Sequence, residues 1–400
     1  MTLSHRVSTV RRMRTWLSCL LAIAVAAIIH RHIAAGDPDA TRDWPEPALT
    51  PGLSDAQIGT AIADHARRLA DGGYFSGVIV VTKAGKPIAT AAHGLARIED
   101  RTPNTVDTVF NIGSLTKDFT KVAIAQLAQA GKLSLDDSVA KHLAGTTIVG
   151  ADRITIRQLL EHRSGMGDVF GAKYDAAPPS RLRELADFVP LFAGEPLAFE
   201  PGTSQRYSNA GYITLGLVIE RVTGETYRDY VTKHIFAPAG MTKSGWWAVD
   251  ERVPNRATGY TLHGSTDRTP NTKSLSGRPS SAGGTYATAG DIARFYDALL
   301  ADKLLSAKWT SWMVNGSFDD TRREPSIGVA GGAPGVNATV ELDGPWHVVV
   351  LANFDPPSAM ATARAVIEII HGTSRGGRPM IRKRAPPGSS PTGVASPASP

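Results

Sequence analysis

Four hundred residues with 42% apolar and 20% charged content form an ordinary globular composition, enough for one large domain or two smaller ones. The formal charge of +6 does not point to nucleic acid, because basic residues gather at the two ends, Arg6 to Arg14 and Arg378 to Arg384. The sequence has no zinc-type Cys/His spacing, no GxxxxGK phosphate loop and no RNA-binding aromatic motif, so no metal, no cofactor and no nucleic-acid partner is expected.

The chain opens with Arg11, Arg12 and Arg14 ahead of an apolar run from Trp16 to Ile29, followed by the polar His30, Arg31 and His32. Residues 1–35 thus read as an export signal, which predicts a periplasmic or extracellular protein. The run is shorter than the roughly 18 to 20 residues of a comfortable membrane span, which favours a cleaved signal peptide. A membrane tether through this apolar segment is the remaining option. The sole cysteine, Cys19, lies within the leader, so the mature domain has no internal disulfide to form. Residues 36–53, with prolines at 38, 45, 47 and 51, read as a linker. Folded structure is expected over 54–372. Residues 373–400, basic and then rich in Pro, Ser, Gly and Ala, read as a disordered tail.

Within the folded part, Ser54 and Gln57 make a capping-box pattern, and Ile58, Ile62, Ala66 and Leu69 recur at helical spacing before Gly72 and Gly73. This predicts an amphipathic helix. Val78 to Thr82 and Ile88 to His93 flank Gly85 as a hairpin. Near the other end Ala338 to Leu342 and His347 to Asn353 form a second hairpin, and Ala361 to Ile370 follows as a helix. Strands at both ends, each beside a terminal helix, predict an α+β fold. An antiparallel sheet would be flanked by the N- and C-terminal helices, the long middle forming a mostly helical lobe with a cleft between.

Two motifs carry chemistry. Phe110-Asn-Ile-Gly-Ser114-Leu-Thr-Lys117 opens a helix with the apolar stripe Phe119, Val122, Ala123 and Leu127, ended by Gly131. Residues three apart on a helix share a face, so the Lys117 amine can reach the Ser114 hydroxyl. A serine hydroxyl is nearly inert at neutral pH, and an adjacent amine of lowered pKa can take its proton as it attacks a carbonyl. By itself an SxxK spacing is equally met by a capping serine beside a surface lysine. The second motif is Tyr207-Ser208-Asn209, expected on the turn before a helix with Leu215, Val218, Ile219 and Val222 on one face. A phenol there can relay a proton and an amide can orient the lysine. His162, Asp168 and His263 read as isolated polar residues with no role. Trp246 and Trp247 could line the cleft or divide between core and surface.

Taken together, from about Gly77 to about Ile370, the chain resembles the class C β-lactamase, penicillin-binding-protein and related esterase family. The resemblance rests on the SxxK block, Leu159-Leu-Glu-His-Arg-Ser-Gly165, the stretch from Pro201-Gly-Thr to Gly240-Met241, and Ala282-Gly-Gly284. It implies a β-lactamase/transpeptidase-like fold in which Ser114 is acylated, Lys117 and Tyr207 share the proton transfers and Asn209 positions groups. The family's third motif, a Lys/His-Thr-Gly-like triplet on a strand, corresponds to Val329-Ala330-Gly331 within Gly328 to Gly335. The resemblance makes the N–H groups of Ser114 and Gly332 the oxyanion hole. Val329 carries no charge and no donor, which argues against capture of a substrate carboxylate.

Two functions follow. One is an exported serine hydrolase acting through an acyl-enzyme on an ester or amide, as an esterase, D-amino-acid peptidase or weak β-lactamase, with a small-molecule or peptidoglycan-like substrate. The other is a catalytically impaired relative that binds a cell-envelope component.

Overall fold

The computed structural model describes residues 44–263, 267–316, 318 and 326–374, and the side chains of His263 and Ser326 are not described. The export segment of residues 1–35 and the tail from 375 onward lie outside the described residues. The principal helices are α1 (Asp55–Asp71), α2 (Thr116–Gln129), α3 (Asn209–Thr223), α4 (Ala289–Leu300) and α5 (Ser358–His371). The principal strands are β1 (Gly77–Lys83), β2 (Lys86–His93), β3 (Ser326–Ala333), β4 (Val336–Asp343) and β5 (Trp346–Ala352). They form one antiparallel sheet in the order β2-β1-β5-β4-β3.

The predicted capping box is present: Ser54 N donates to Gln57 Oε1 at 2.9 Å while Gln57 N donates to Ser54 Oγ at 3.4 Å. Both hairpins form as the sequence predicts, and β1 closes on β5 with Gly77 opposite Ala352 and Lys83 opposite Trp346. The two ends of the domain therefore meet in the middle of the sheet. The described residues from 95 to 318 are an excursion between them, whose regular structure is mainly helical and includes α2, α3 and α4.

Period-two geometry turns the central strand into the partition between two cores. Val348, Val350 and Ala352 of β5 join Ile58, Ile62 and Leu69 of α1 and Val366 and Ile369 of α5. Val349 and Leu351 point the other way, into the cluster containing Phe119, Val122 and Leu215. Both terminal helices thus cover one face, and the helical lobe covers the other. The expected linker is irregular over residues 44–53, yet Trp44 lies tilted against Tyr74 with ring centroids 5.3 Å apart and Pro47 is buried. Its second half is therefore packed on the domain, because a tryptophan this close to an apolar helix–sheet seam removes more surface from water when docked than when free.

The packing of the outer core can be read from stability. Ile79 on β1 is fully buried, so Ile79→Ala is expected to cost about 2 to 5 kcal/mol in chemical denaturation. Val106, 51% exposed, is expected to change stability by less than about 0.5 kcal/mol when replaced by alanine. Equal effects at the two positions would contradict the two-core architecture.

Candidate active site

Ser114 stands in the single 3-10 turn Gly113–Leu115 that runs into α2. The turn is held from three sides. Asn111 Oδ1 accepts from Gly113 N at 2.9 Å, and Gly113 takes φ +52, a conformation open to glycine without strain. Thr116 Oγ1 donates to Gly113 O at 2.9 Å and accepts from Thr285 N at 3.1 Å. Gly284 N donates to Gly113 O at 3.2 Å. The serine turn is thereby fixed by backbone groups, the Asn111 amide and the Thr116 hydroxyl rather than by the serine side chain.

Lys117, one turn on, is 4% exposed. Its Nζ lies 3.2 Å from Ser114 Oγ, donates to Asn209 Oδ1 at 2.8 Å, and also contacts the carbonyl oxygen of Ala282. Tyr207 OH closes on Ser114 Oγ at 2.7 Å from the far side. Ser114, Lys117, Tyr207 and Asn209 therefore meet as the sequence predicts. One local detail differs: Asn209 is the first residue of α3, not part of the preceding turn. The capping side chain is Ser208, whose Oγ accepts from Gly211 N at 3.0 Å. That frees the Asn209 amide to face Lys117.

Two residues expected to be idle lie directly behind this group. Asp168 accepts from Asn209 Nδ2 with both carboxylate oxygens, at 2.9 and 3.1 Å. His162 is buried, with its ring stacked on Tyr207 at 4.4 Å between centroids and its Nδ1 accepting from Ser208 N at 3.2 Å. Its own carbonyl accepts from Arg206 N at 2.8 Å, so it holds the tyrosine segment before and after Tyr207. The Leu159–Gly165 block contained the histidine, but burial was not legible in a polar run of Glu, His, Arg and Ser. Ala282 offers only its backbone, which no side-chain pattern announces.

Burial sets the proton inventory. Desolvation lowers the Lys117 pKa to about 7, opposed by the Asp168 and Asp118 carboxylates and reinforced by the Lys121 charge. The same desolvation raises the Tyr207 phenol well above its ordinary value, keeping it protonated. Burial, and then the Lys117 and Lys121 charges, hold His162 far below the usual imidazole range, so it is neutral. Near pH 7 a buried lysine that readily gives up its proton thus meets a protonated phenol and a half-buried hydroxyl.

The third-motif strand is β3, an edge of the sheet. A Cβ on Gly331 would stand 2.2 Å from Ile112 O and 2.8 Å from Ser114 N, and a Cβ on Gly113 would stand 3.0 Å from Gly332 N. Glycines alone let the strand lie this close to the serine turn. The backbone of Gly331 and Gly332 therefore lies against that of Gly113 and Ser114. Val329 faces the same way as Gly331 and is partly packed on the main core. Asn337, fully buried on β4, donates to Gly331 O at 3.2 Å and accepts from Ala359 N and Met360 N of α5 at 2.6 and 3.2 Å. It caps α5, which has no capping side chain of its own, and pins the glycine strand to it. The adjacent tryptophans divide: Trp246 stacks on Phe236 at 5.7 Å, whereas Trp247 lies against Tyr286 at 6.2 Å. Among the described residues no cluster of His, Cys, Asp or Glu could hold a metal ion.

Residues 62–371 match the family model described as Beta-lactamase. The penicillin-binding protein of Bacillus halodurans superposes with a TM-score of 0.69 at 33% identity, covering 76% of this chain and 99% of that one. Penicillin-binding protein 4* of Bacillus subtilis is 31% identical over 191 residues, 46% of this chain and 42% of that protein. The chain spans about half the length of the curated relatives it matches. The D-amino acid amidase of Ochrobactrum anthropi shares the fold at a TM-score of 0.63 with 23% identity, over 79% of this chain and 97% of that one.

Titration of isotopically labelled lysine side chains by NMR is expected to show one amine losing its proton near pH 7, that of Lys117, well ahead of the rest. A set of lysines that all titrate at ordinary values would refute the dry placement of this side chain.

Proposed function

The chain belongs to the beta-lactamase family, and from that premise we propose that it is an exported serine hydrolase, acylated at Ser114 by a neutral ester or amide. The observation that carries this reading is the position of Lys117 Nζ, buried and within hydrogen-bond reach of Ser114 Oγ while Tyr207 OH touches the same oxygen.

As a free amine, Lys117 has two N–H groups and one lone pair. The two N–H groups answer the two carbonyls, Asn209 Oδ1 and Ala282 O, and the lone pair is left for the Ser114 proton. Lys117 takes that proton as Oγ bonds to the substrate carbonyl carbon, and the oxyanion forms beside the N–H groups of Ser114 and Gly332. When the carbon–leaving-group bond breaks, the departing oxygen or nitrogen takes a proton from Tyr207 OH, which is replenished from the Lys117 ammonium. Water then attacks the acyl-enzyme, with the same groups moving its proton, and releases the acid. The raised pKa of Tyr207 argues that it relays rather than starts as the base.

Substrate class follows from β3. Its residues Ile327 to Ala333 include no charged side chain, and Val329 occupies the place where a cation would grip a carboxylate. A neutral acyl donor fits better than a penicillin or an acyl-D-alanine terminus. The leader, with Arg11, Arg12 and Arg14 before its apolar run, supports action in the cell envelope, where small-molecule and peptidoglycan-like substrates are met. Binding of an envelope component without turnover is the alternative, favoured only by Val329.

A fluorophosphonate probe is expected to label the peptide containing Ser114, and Ser114→Ala to abolish labelling and lower hydrolysis of p-nitrophenyl esters by at least ~10³-fold. Wild-type hydrolysis should rise with pH through about 7, because the neutral amine is the base. Fluorescent penicillin should label far more slowly than the neutral probe. An unlabelled wild type, with ester turnover unaffected by Ser114→Ala, refutes the hydrolase and leaves the binding role.

A further inference from the structure

We infer that Asp168 is a positioning residue of this site: by gripping the amide nitrogen of Asn209 it commits the Asn209 carbonyl to Lys117, and so aims the amine at Ser114. The inference rests on the hydrolase reading and deepens it.

A carboxamide can sit in either of two orientations, and only its neighbours decide which end faces where. Asn209 lies between an amine and a carboxylate. Asp168 is acceptor-only, so it takes the NH2 group, with both oxygens in reach at 2.9 and 3.1 Å. The carbonyl is then forced onto Lys117 Nζ at 2.8 Å. Asp168 is itself anchored: Oδ1 accepts from Val169 N at 2.7 Å and from Phe170 N at 3.3 Å. The carboxylate is half-buried, joined to the reacting hydroxyl through one amide and one amine. An asparagine at 168 would remove this preference, since it could offer either a donor or an acceptor. A reversed Asn209 would turn its NH2 toward Lys117, where it would compete with the Ser114 proton for the lone pair of the amine.

The charge matters as well as the geometry. The groups facing Lys117 are the carboxylates of Asp168 and Asp118, the Lys121 ammonium, the neutral His162, and the Tyr207 and Tyr212 rings, whose centroids lie 4.8 and 5.4 Å from Nζ. Asp168 raises the Lys117 pKa against desolvation. Without it the amine would lose its proton at lower pH, so the rising limb of activity would move toward acid. A residue that merely supports the fold would lower the plateau and leave the limb in place.

The test is the rate of fluorophosphonate labelling of the full chain across pH, with thermal melts as a control. Asp168→Asn should slow labelling about tenfold or more and move the rising limb to lower pH. Asn209→Ala should slow it comparably, and the double variant should lose no more than Asn209→Ala alone, because Asp168 acts through Asn209. Labelling of Asp168→Asn at the wild-type rate and midpoint, or losses that multiply in the double variant, would overturn the inference. If Asp168→Asn fails to fold, Asp168→Ala with added formate decides: restored rate supports the role and unchanged rate removes it. A wild type that is never labelled sinks the hydrolase reading itself, and this inference with it. A labelled wild type beside an indifferent Asp168→Asn sinks the positioning role alone.

Discussion

Everything at the site depends on one amine kept out of water. An exposed lysine is an ammonium near pH 7, with no lone pair for a proton. Lys117 gains one because burial charges a desolvation cost against the ion, and the cost falls as the proton leaves. Such burial is tolerable only if the amine's remaining polarity is answered, since an unpaired buried polar group costs on the order of 1 to 3 kcal/mol. Three segments far apart in sequence answer it: the serine turn, the first residue of α3, and the carbonyl of Ala282.

That requirement explains much of the architecture. The serine turn is buttoned to Thr285 and Gly284, the same stretch that presents Ala282. The asparagine arrives as the first residue of α3 and the tyrosine just ahead of the Ser208 cap, a segment held by His162. On the other side the sheet delivers β3, and Asn337 couples that edge to α5. The terminal helices and sheet are thus more than a container. They set the distance between a strand of glycines and a hydroxyl, and a single methyl on Gly331 would collide with backbone atoms at both Ile112 and Ser114.

The sequence disclosed what is periodic or chemically unusual. Helix α1, both hairpins and α5 follow from spacing and turn residues, and Ser114, Lys117, Tyr207 and Asn209 follow from two short motifs that resemble a known family. What stayed hidden is whatever depends on a partner distant in the chain. Asp168 and His162 are ordinary polar residues until folding puts one behind Asn209 and the other beneath Tyr207. Asn337 sits inside an alternating strand and gives no sign that it caps a helix more than twenty residues away. Within the expected linker of residues 36–53, Trp44 lies against Tyr74, a contact that local composition does not reveal.

The two protonatable side chains beside Ser114 respond to the same desolvation in opposite directions, and this separates their roles. Burial favours neutral forms, which means a deprotonated amine and a protonated phenol. With the Lys117 pKa lowered to about 7, a substantial share of the resting sites near neutral pH holds a base and an acid beside one hydroxyl. In the proposed acyl transfer, charge would appear only as the reaction proceeds, first on Lys117 and on the substrate oxygen. The ammonium would then stand near the Asp168 carboxylate, and the proposed oxyanion beside a strand that glycine at 331 allows so near the serine turn. The opposite charges of the transition state each meet a fixed counterpart, whereas the neutral ground state gains little from either. This asymmetry is what lowers a barrier. It also bears on Val329: a carboxylate-bearing substrate would bring a permanent charge that no residue of β3 answers, and a neutral ester or amide brings none.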